Sequence, residues 1–342
     1  MTSNLMSGGN RVLLMPYSDR WRMLRKVMHS ILNKTNTQTF APFQDLESKH
    51  LIYDYLHNAD KWYEGNQRFA NSVIMSVVFG KRMESSDPKI KELLDTSNEI
   101  ISAMQPGASI ADVLPVLENL PRPLQWWRPR GTRAYQKCLN ILISAAATDK
   151  RWVKTAREAL DSVCGSNAER LPEFSDRLNL RYITAVVKEG FRWRPFAEIG
   201  VPHMLIQDDE YEGYKFPAGT LFTWNAMAVS MNPMEYEDPE RFWPERFLNA
   251  DLDNVLKGHW GFGPGRRVCS GYNVGQSNVW IAFARLLYCF DFDEIKGQPI
   301  DSLHTNWLEH RFAPFPVSIK PRSLQHAALV EKEGSVAVAT KY

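Results

Sequence analysis

The chain has 342 residues, of which 44% are hydrophobic and 23% are charged, a balance that indicates a globular protein and excludes a disordered one. Its 41 basic and 39 acidic residues give a net charge of +2, which excludes the strongly basic surface typical of nucleic-acid-binding proteins. Four widely spaced cysteines favour a reducing compartment, and no run approaches the ~18 apolar residues of a membrane-spanning helix.

The first predicted helix runs from Arg20 to about Asn33, after a helix start signal at Ser18. Trp21 and Arg25 are four residues apart on it and therefore share a face. An indole and a guanidinium at that spacing are usually only packed together, so the pair alone does not indicate a ligand site. Further helices are predicted over residues 43–60, 67–79, 89–102, 131–150 and 151–163.

A stronger helical pattern runs from Arg177 to Arg192 and ends before Pro195. Glu189 and Arg192 are three residues apart on it, so they can form an ion pair on one face. An exposed pair of that kind contributes little to stability, and the spacing alone therefore does not define its role.

Residues 200–225 are predicted to form a small antiparallel sheet, because two apolar runs flank the turn-rich segment Gln-Asp-Asp-Glu-Tyr-Glu-Gly. His203 lies in the first run, where a lone histidine is more often a packed surface residue than a ligand. Residues 225–258 are predicted to be irregular, and residues 323–342 to be a loose tail.

The segment from His259 to Gly271 reads His-Trp-Gly-Phe-Gly-Pro-Gly-Arg-Arg-Val-Cys-Ser-Gly. Its glycines and proline predict a tight turn whose backbone can approach a flat ligand closely. Cys269 follows Arg266 and Arg267, whose charges favour the metal-binding thiolate over the thiol. A helix is predicted to begin just after this segment, and its first amides would stabilise negative charge on the sulfur. The alternative is a buried cysteine in a surface loop.

The pattern Phe262-x-x-Gly265-x-Arg267-x-Cys269-x-Gly271 resembles the haem-binding signature of the cytochrome P450 family, the haem-thiolate monooxygenases. Five fixed positions would match by chance in a chain of this length on the order of once in 10⁴. The resemblance covers roughly residues 5–322 and is greatest to filamentous-fungal members that hydroxylate secondary metabolites. It implies one mainly α domain with a small β region, a P450-like fold that is incomplete, over residues 1–342.

The resemblance also implies a role for each motif residue. Cys269 would be the proximal thiolate of haem b, and it is the implied catalytic and metal-binding residue. The implied haem contacts, mostly to the propionates, are Trp21, Arg25, His203, Phe262, Arg267 and Gly271. The implied structural triad consists of Glu189, Arg192 and Arg246, and it would hold the loop that carries the cysteine. The implied substrate-lining residues are Glu198, Ile199 and Val201.

By the same resemblance, the expected reaction inserts one oxygen atom from O₂ into an apolar small molecule during the biosynthesis of a secondary metabolite. Electrons would come from NADPH through a flavoprotein reductase of the cytochrome P450 reductase type. Family members are usually anchored in the endoplasmic reticulum with the domain on its cytoplasmic face. No nucleic-acid partner is expected, and no counterpart of the family's anchor is expected before Leu5.

A second expected element is missing from the sequence, the long central helix that carries an acid followed by a threonine on the distal side of the haem. Asp95-Thr96 has the residue pair but lies where the family has an earlier helix. In residues 145–149 the acid and the threonine are reversed, as Thr148-Asp149. The chain is expected to pass at about Lys150 directly to the helix that follows the missing one. Residues 105–130, which are rich in proline, would form a substrate-entry or membrane-facing loop, or else cover an edge of the core.

The incomplete match leaves two alternatives to a normal monooxygenase. One is a haem-binding protein with impaired catalysis, which uses peroxide or only binds. The other is a non-enzymatic fragment that does not retain haem.

Overall fold

The computed structural model describes residue 12 and residues 15–83, 137–195, 197–302 and 313–341. The structure is mainly helical, as the sequence predicted. The α-helices are α1 (Asp19–Leu32), α2 (Ala41–His57), α3 (Trp62–Phe79), α4 (Lys137–Thr148), α5 (Lys150–Cys164), α6 (Arg181–Trp193), α7 (Ala226–Ser230), α8 (Tyr272–Cys289) and α9 (Leu324–Ala339). Short 3₁₀ turns cover Asn36–Phe40, Ala59–Lys61, Phe174–Leu178, Pro244–Phe247 and Gly265–Arg267. Across these described ranges, no helix combines the length and apolar character needed to cross a membrane.

The strands pair two by two in antiparallel fashion. The pairs are β1 (His203–Met204) with β4 (Leu221–Phe222), β2 (Asp209–Tyr211) with β3 (Tyr214–Phe216), and β5 (Phe290–Asp293) with β6 (Ser318–Pro321). Glu212 and Gly213 join β2 to β3 with φ angles of 50° and 82°, which are the two positive values of a type I′ hairpin turn. The sheet predicted over residues 200–225 is therefore present, as two short pairs that are largely exposed.

Helices α6 and α8 form the centre of the hydrophobic core. Trp280 of α8 is completely buried, and its indole Nε1 donates to the Thr184 hydroxyl of α6 at 3.1 Å. Because α8 is apolar on nearly all sides, it packs against helices in several directions. The carboxylate of Glu189 lies on α6, and Cys269 precedes α8 by three residues. The core therefore fixes the two elements that carry the candidate site.

The residues after Ser323 form helix α9, so the prediction of a loose tail was wrong. Ser323 caps the helix, since its Oγ accepts a hydrogen bond from the main-chain N–H of His326 at 3.2 Å. Leu329, Val330 and Ala337 recur at helical spacing and are buried against the rest of the chain. That spacing was present in the sequence, and the many small and polar residues between these positions obscured it.

Replacing Gly334 by leucine is expected to destabilise the protein, because α9 passes close to α2 at this residue. A Cβ atom at Gly334 would lie 2.7 Å from the Cβ of Tyr53, and overpacking of this kind costs about 2 kcal/mol. The adjacent Ser335 is exposed, so Ser335→Leu is a matched control and should change stability by less than about 0.5 kcal/mol. Urea unfolding followed by circular dichroism measures both variants. Equal midpoints would show that α9 does not pack as described.

Candidate functional site

The segment from His259 to Gly271 folds back on itself through main-chain hydrogen bonds. The N–H of Gly263 donates to the carbonyl of Trp260 at 2.9 Å, and the N–H of Cys269 donates to the carbonyl of Phe262 at 2.9 Å. The tight course requires φ angles of 74° at Gly263 and 64° at Gly265, which glycine adopts without strain. The turn places the sulfur of Cys269 at the start of α8, as the sequence predicted.

Cys269 is a free, half-buried thiol whose electrostatic surroundings differ from those we expected. Burial raises its pKa, while the main-chain N–H of Gly271 and the charge of Arg25 lower it. The stabilising cation is therefore Arg25 from α1, and the sequence neighbours Arg266 and Arg267 do not take that role. Both residues lie on the 3₁₀ turn before Cys269, and their side chains extend over aromatic rings of the N-terminal region instead.

Two guanidinium groups lie against the indole ring of Trp21. The guanidinium carbon of Arg25 is 5.7 Å from the ring centroid, and that of Arg267 is 4.6 Å from it. Burial lowers the pKa of both arginines, and the charge of Arg25 lowers that of Arg267 further. Arg25 Nη2 donates to the carbonyl of Val268, whereas its buried Nε has no hydrogen-bond partner among the described residues. Two partly desolvated like charges and an unpaired N–H favour the binding of an anionic group here.

His203 lies at the start of β1 on the same side of the molecule. Its pKa is lowered by burial of the ring and by the positive charge of Arg267, which shows that the imidazole lies within electrostatic range of that guanidinium. The side chain remains largely exposed. The structure thus brings His203 within electrostatic range of the arginine cluster.

The carboxylate of Glu189 lies between two guanidinium groups and is completely buried. Arg192 binds both of its oxygens, with Nη2 at 2.7 Å from Oε1 and Nε at 2.8 Å from Oε2. Arg246 Nε approaches to 3.3 Å, and the main-chain N–H of Trp243 donates to Oε1 at 2.8 Å. Burial raises the pKa of Glu189, and these four donors oppose the rise. The structure thus brings together the three residues of the implied triad.

The remaining donors of the two arginines bind the irregular segment of residues 230–246. Arg192 Nη1 donates to the carbonyls of Ser230 and Pro239 at 2.9 and 2.8 Å, and Arg246 Nη1 donates to the carbonyl of Glu237 at 2.8 Å. All three acceptors are main-chain carbonyl groups. The cluster therefore joins α6 to the segment that precedes the Cys269 loop.

An aromatic contact between α6 and the loop was not predicted from the sequence. The ring of Phe191 packs against Phe262 and His259, with centroid distances of 4.8 and 5.3 Å. Phe262 also lies 6.3 Å from the ring of Tyr272 at the start of α8. The apolar pattern of α6 contained Phe191, but its partner was not identifiable because the contact spans about 70 residues of chain.

The segment that contains Glu198, Ile199 and Val201 lies beside the Cys269 loop, and a pair of tryptophans connects the two. The carbonyl of Glu198 accepts from the N–H of Met227 at 2.9 Å, and the Ile199 carbonyl accepts from the Thr223 hydroxyl. One residue beyond Thr223, Trp224 meets Trp260 of the loop edge-to-face at 6.1 Å. Ile199 is 41% exposed, and an apolar surface is therefore open next to the loop.

Thr148 and Asp149 form the junction between α4 and α5 and have structural partners. The Thr148 hydroxyl donates to the Ser144 carbonyl at 2.9 Å, and Asp149 accepts from the N–H of Arg151 at 3.0 Å as a helix cap. Within the described ranges, no helix carries an acid followed by a threonine. Asp95-Thr96 and the segment 105–130 lie outside the described residues.

The space between Gly271 and the sulfur of Cys269 is open enough for a bulky group. A Cβ atom at Gly271 would be 3.9 Å from Cys269 Sγ and would meet no other described atom within 4 Å. A free thiol with open space beside it, close to the buried Arg25 Nε that has no hydrogen-bond partner among the described residues, suits a proximal ligand under a flat, carboxylate-bearing cofactor. The fold and the site together have the features expected of a haem-thiolate protein.

Comparison with known sequences agrees with this class. The family model described as Cytochrome P450 matches residues 2–145 and 131–314, and the chain belongs to this family. The chain is 29% identical to the cytochrome P450 monooxygenase verL of Clonostachys rogersoniana, over 96% of this chain and 75% of the relative. It is 28% identical to the cytochrome P450 monooxygenase fogE of Aspergillus ruber, over 97% and 76% of the two chains.

A solved structure shares the fold. Zebrafish cytochrome P450 in complex with abiraterone superimposes with a TM-score of 0.73 at 21% identity, over 94% of this chain and 87% of that one. The predicted family and the predicted fold class are therefore confirmed. The family binds haem, and by family resemblance the protein is an enzyme of the cytochrome P450 monooxygenase class.

Proposed function

We propose that Cys269 is the proximal ligand of haem b and that the chain acts as a monooxygenase on an apolar small molecule of secondary metabolism. The observation that carries this proposal is the buried, unpaired Nε of Arg25, next to both a second guanidinium and the free thiol. A haem propionate would supply the missing acceptor. The fungal monooxygenases among the relatives support the reaction class.

Each residue of the cluster would hold a different part of the cofactor. Arg25 and Arg267, stacked on Trp21, would bind the propionates, and His203 would contribute from β1. Gly271 leaves the space beside the sulfur that a macrocycle needs. The residues present therefore fit haem b.

The chain's own residues prepare the sulfur and the substrate side. When bound, haem supplies the dioxygen chemistry, and a thiolate ligand donates electron density that favours O–O cleavage. The Gly271 N–H and the Arg25 charge stabilise negative charge on Cys269, and the Phe262 carbonyl fixes the main chain of that cysteine. Glu198, Ile199 and Val201 would line the substrate side. NADPH would provide electrons through a flavoprotein reductase.

A second candidate function, haem binding with impaired dioxygen activation, is supported by the way the family match divides. The two matched segments overlap at residues 131–145, which indicates a discontinuity in the family pattern there. The alignment with verL extends over 412 positions although the chain has only 342 residues, so that relative carries internal residues that this chain lacks. We propose that the missing part includes the central helix with its acid and threonine. The overlap of the two matched segments lies a few residues upstream of Lys150, whereas the sequence pattern placed the missing helix at about Lys150.

The two candidates differ in their response to a reductase. The haem-loaded chain would be incubated with NADPH and cytochrome P450 reductase, or with hydrogen peroxide alone, while oxygen consumption and product formation are measured. Reductase-dependent product supports the monooxygenase, and turnover with peroxide alone supports the impaired enzyme. Normal haem content with neither activity would indicate a protein that binds haem without catalysing a reaction. Failure to retain haem would identify a non-enzymatic fragment and overturn the proposal.

Replacing Arg25 by methionine is expected to weaken haem binding by about 10- to 100-fold, because a hydrogen bond to a charged group contributes roughly 1.5–3 kcal/mol. Arg22 lies on the same helix and pairs with Asp19 at the surface, so Arg22→Met is the matched control and should bind haem normally. Haem titration followed at the Soret band measures both affinities. Equal affinity of the two variants would remove Arg25 from the site.

A further inference from the structure

The lysine that precedes Glu189 is buried and is not part of the implied triad. The side chain of Lys188 is 1% exposed, although an unpaired ammonium group is costly to bury. Its Nζ donates to the main-chain carbonyls of Asp251 at 2.8 Å, Asn254 at 2.9 Å and Leu252 at 3.4 Å. The ammonium also lies 5.4 Å from the ring centroid of Phe247. Its three hydrogens are thus used on a single turn of the chain.

That turn leads directly into the Cys269 loop. The N–H of Asn254 donates to the carbonyl of Asp251 at 3.0 Å, and the N–H of Lys257 donates to the carbonyl of Asn254 at 3.2 Å. Leu252 is completely buried at the centre of the turn. No helix or strand covers residues 249–258, so the position of this segment depends on side-chain donors such as the Lys188 ammonium.

The charge of Lys188 reaches the loop through His259. Burial and the charge of Lys188 lower the pKa of His259 to about 3, so the imidazole is neutral and lies within electrostatic range of the ammonium. His259 Nδ1 accepts from the N–H of Gly261 at 3.2 Å, and its ring packs at 5.9 Å from that of Phe262. The Phe262 carbonyl in turn accepts from the N–H of Cys269. Lys188 therefore acts on His259 through its charge, and direct contacts continue from His259 through Phe262 to the cysteine.

We propose that Lys188, as a cation, is a positioning residue that holds the 251–254 turn and thereby keeps the Cys269 loop in its haem-binding geometry. This role rests on the proposed function of Cys269. It is separate from the role of Glu189 and its arginines, whose partners lie in residues 230–246. Two adjacent residues of α6 thus anchor two successive parts of the segment before the loop.

The proposal predicts a pH dependence with a defined sign. Burial lowers the pKa of Lys188 to about 8, and the carboxylates of Asp251 and Asp253 partly oppose the shift. The imidazole of His259 is the other titratable group that interacts with it. The cation is therefore lost as the pH rises through about 8, and haem should dissociate faster above that pH. The free energy of unfolding changes in the opposite sense. Because the pKa of Lys188 is lower in the folded protein, stability rises as the pH increases from about 8 towards the ordinary pKa of lysine.

The test uses the haem-loaded full chain and its Lys188→Met, Lys188→Arg and Lys257→Met variants. Haem dissociation is measured by transfer to excess apomyoglobin at about pH 7 and about pH 9. Lys188→Met should lose haem about tenfold faster than wild type at the lower pH, as expected for one lost charged hydrogen bond, and should show little further change with pH. Lys188→Arg stays charged and should keep slow dissociation at both values. Lys257 is exposed on the same segment, and its variant should follow wild type.

Two results would overturn the proposal: equal dissociation rates for Lys188→Met and Lys257→Met, or the same rise with pH in Lys188→Arg as in wild type. If Lys188→Met does not fold, Lys188→Gln keeps a neutral donor and takes its place. Hydrogen exchange of the Cys269 amide in the haem-free chain separates this proposal from the haem assignment. Faster exchange at Cys269 with unchanged exchange at Trp243 supports the positioning role even if wild type binds no haem, and unchanged exchange at both contradicts it.

Discussion

Replacing Cys269 by alanine is expected to abolish haem binding by the full chain while the helical fold remains. The sulfur is the proposed iron ligand, and the loop places it at the start of α8 with open space beside it. The thiol is half-buried, so its loss removes little packing. Haem content per chain, measured as the pyridine haemochromogen after reconstitution, should fall from near one to near zero.

Cys289→Ala is the matched control for that experiment. Cys289 is completely buried at the end of α8, and burial raises its pKa, so it remains a thiol and has a packing role only. The control should bind haem normally and lose about 1 kcal/mol of stability. Full haem occupancy in Cys269→Ala would contradict the assignment of the ligand.

Replacing Glu189 by alanine is expected to lower the free energy of unfolding by about 3–5 kcal/mol and to reduce the yield of folded protein accordingly. The carboxylate offsets the charges of Arg192 and Arg246, of which the first is completely buried. Its removal leaves a guanidinium without a counter-charge in the core and frees the N–H of Trp243. The effect should appear in the haem-free chain too, because none of these contacts involves a cofactor.

An exposed ion pair provides the control for the buried one. Glu158 pairs with Lys154 at 3.9 Å on the surface of α5, and Glu158→Ala should cost less than about 0.5 kcal/mol. Urea unfolding of the haem-free proteins measures the two variants side by side. A loss below 1 kcal/mol for Glu189→Ala would show that the buried cluster does not stabilise the fold.

The sequence predicted those parts of the site that depend on local spacing. Cys269 and the glycines around it lie within one short segment, and the pair of Glu189 and Arg192 lies within one helical turn. Their contacts follow almost directly from the order of residues. Arg246 joined the cluster only through the resemblance to the family, because nothing in its own surroundings indicates a partner 57 residues away.

Contacts between distant segments were harder to predict. We assigned the stabilisation of the thiolate to Arg266 and Arg267 because they are neighbours in sequence, yet the 3₁₀ turn directs them away and Arg25 takes their place. Lys188 and His259 were missed for a related reason. A lysine beside a glutamate is normally solvent-exposed, and only the fold shows that its ammonium binds three carbonyls in the interior.

The sequence also indicated that one expected element is missing, the central helix with its acid and threonine on the distal side of the haem. Thr148 and Asp149 were the nearest approach to an acid and threonine pair in the described part of the chain, and their hydrogen bonds serve the α4–α5 junction. The division of the family match at residues 131–145 places the discontinuity just upstream of them. Sequencing the transcript across the codons for these residues would show whether a longer form carries the additional helix.

The most direct measurement of the central claim, that Cys269 binds haem as a thiolate, is the carbon monoxide difference spectrum of the reduced, haem-loaded chain. We predict the red-shifted band that thiolate ligation gives, with an intensity that matches the haem content. A spectrum without that band, from protein that does contain haem, would contradict the account.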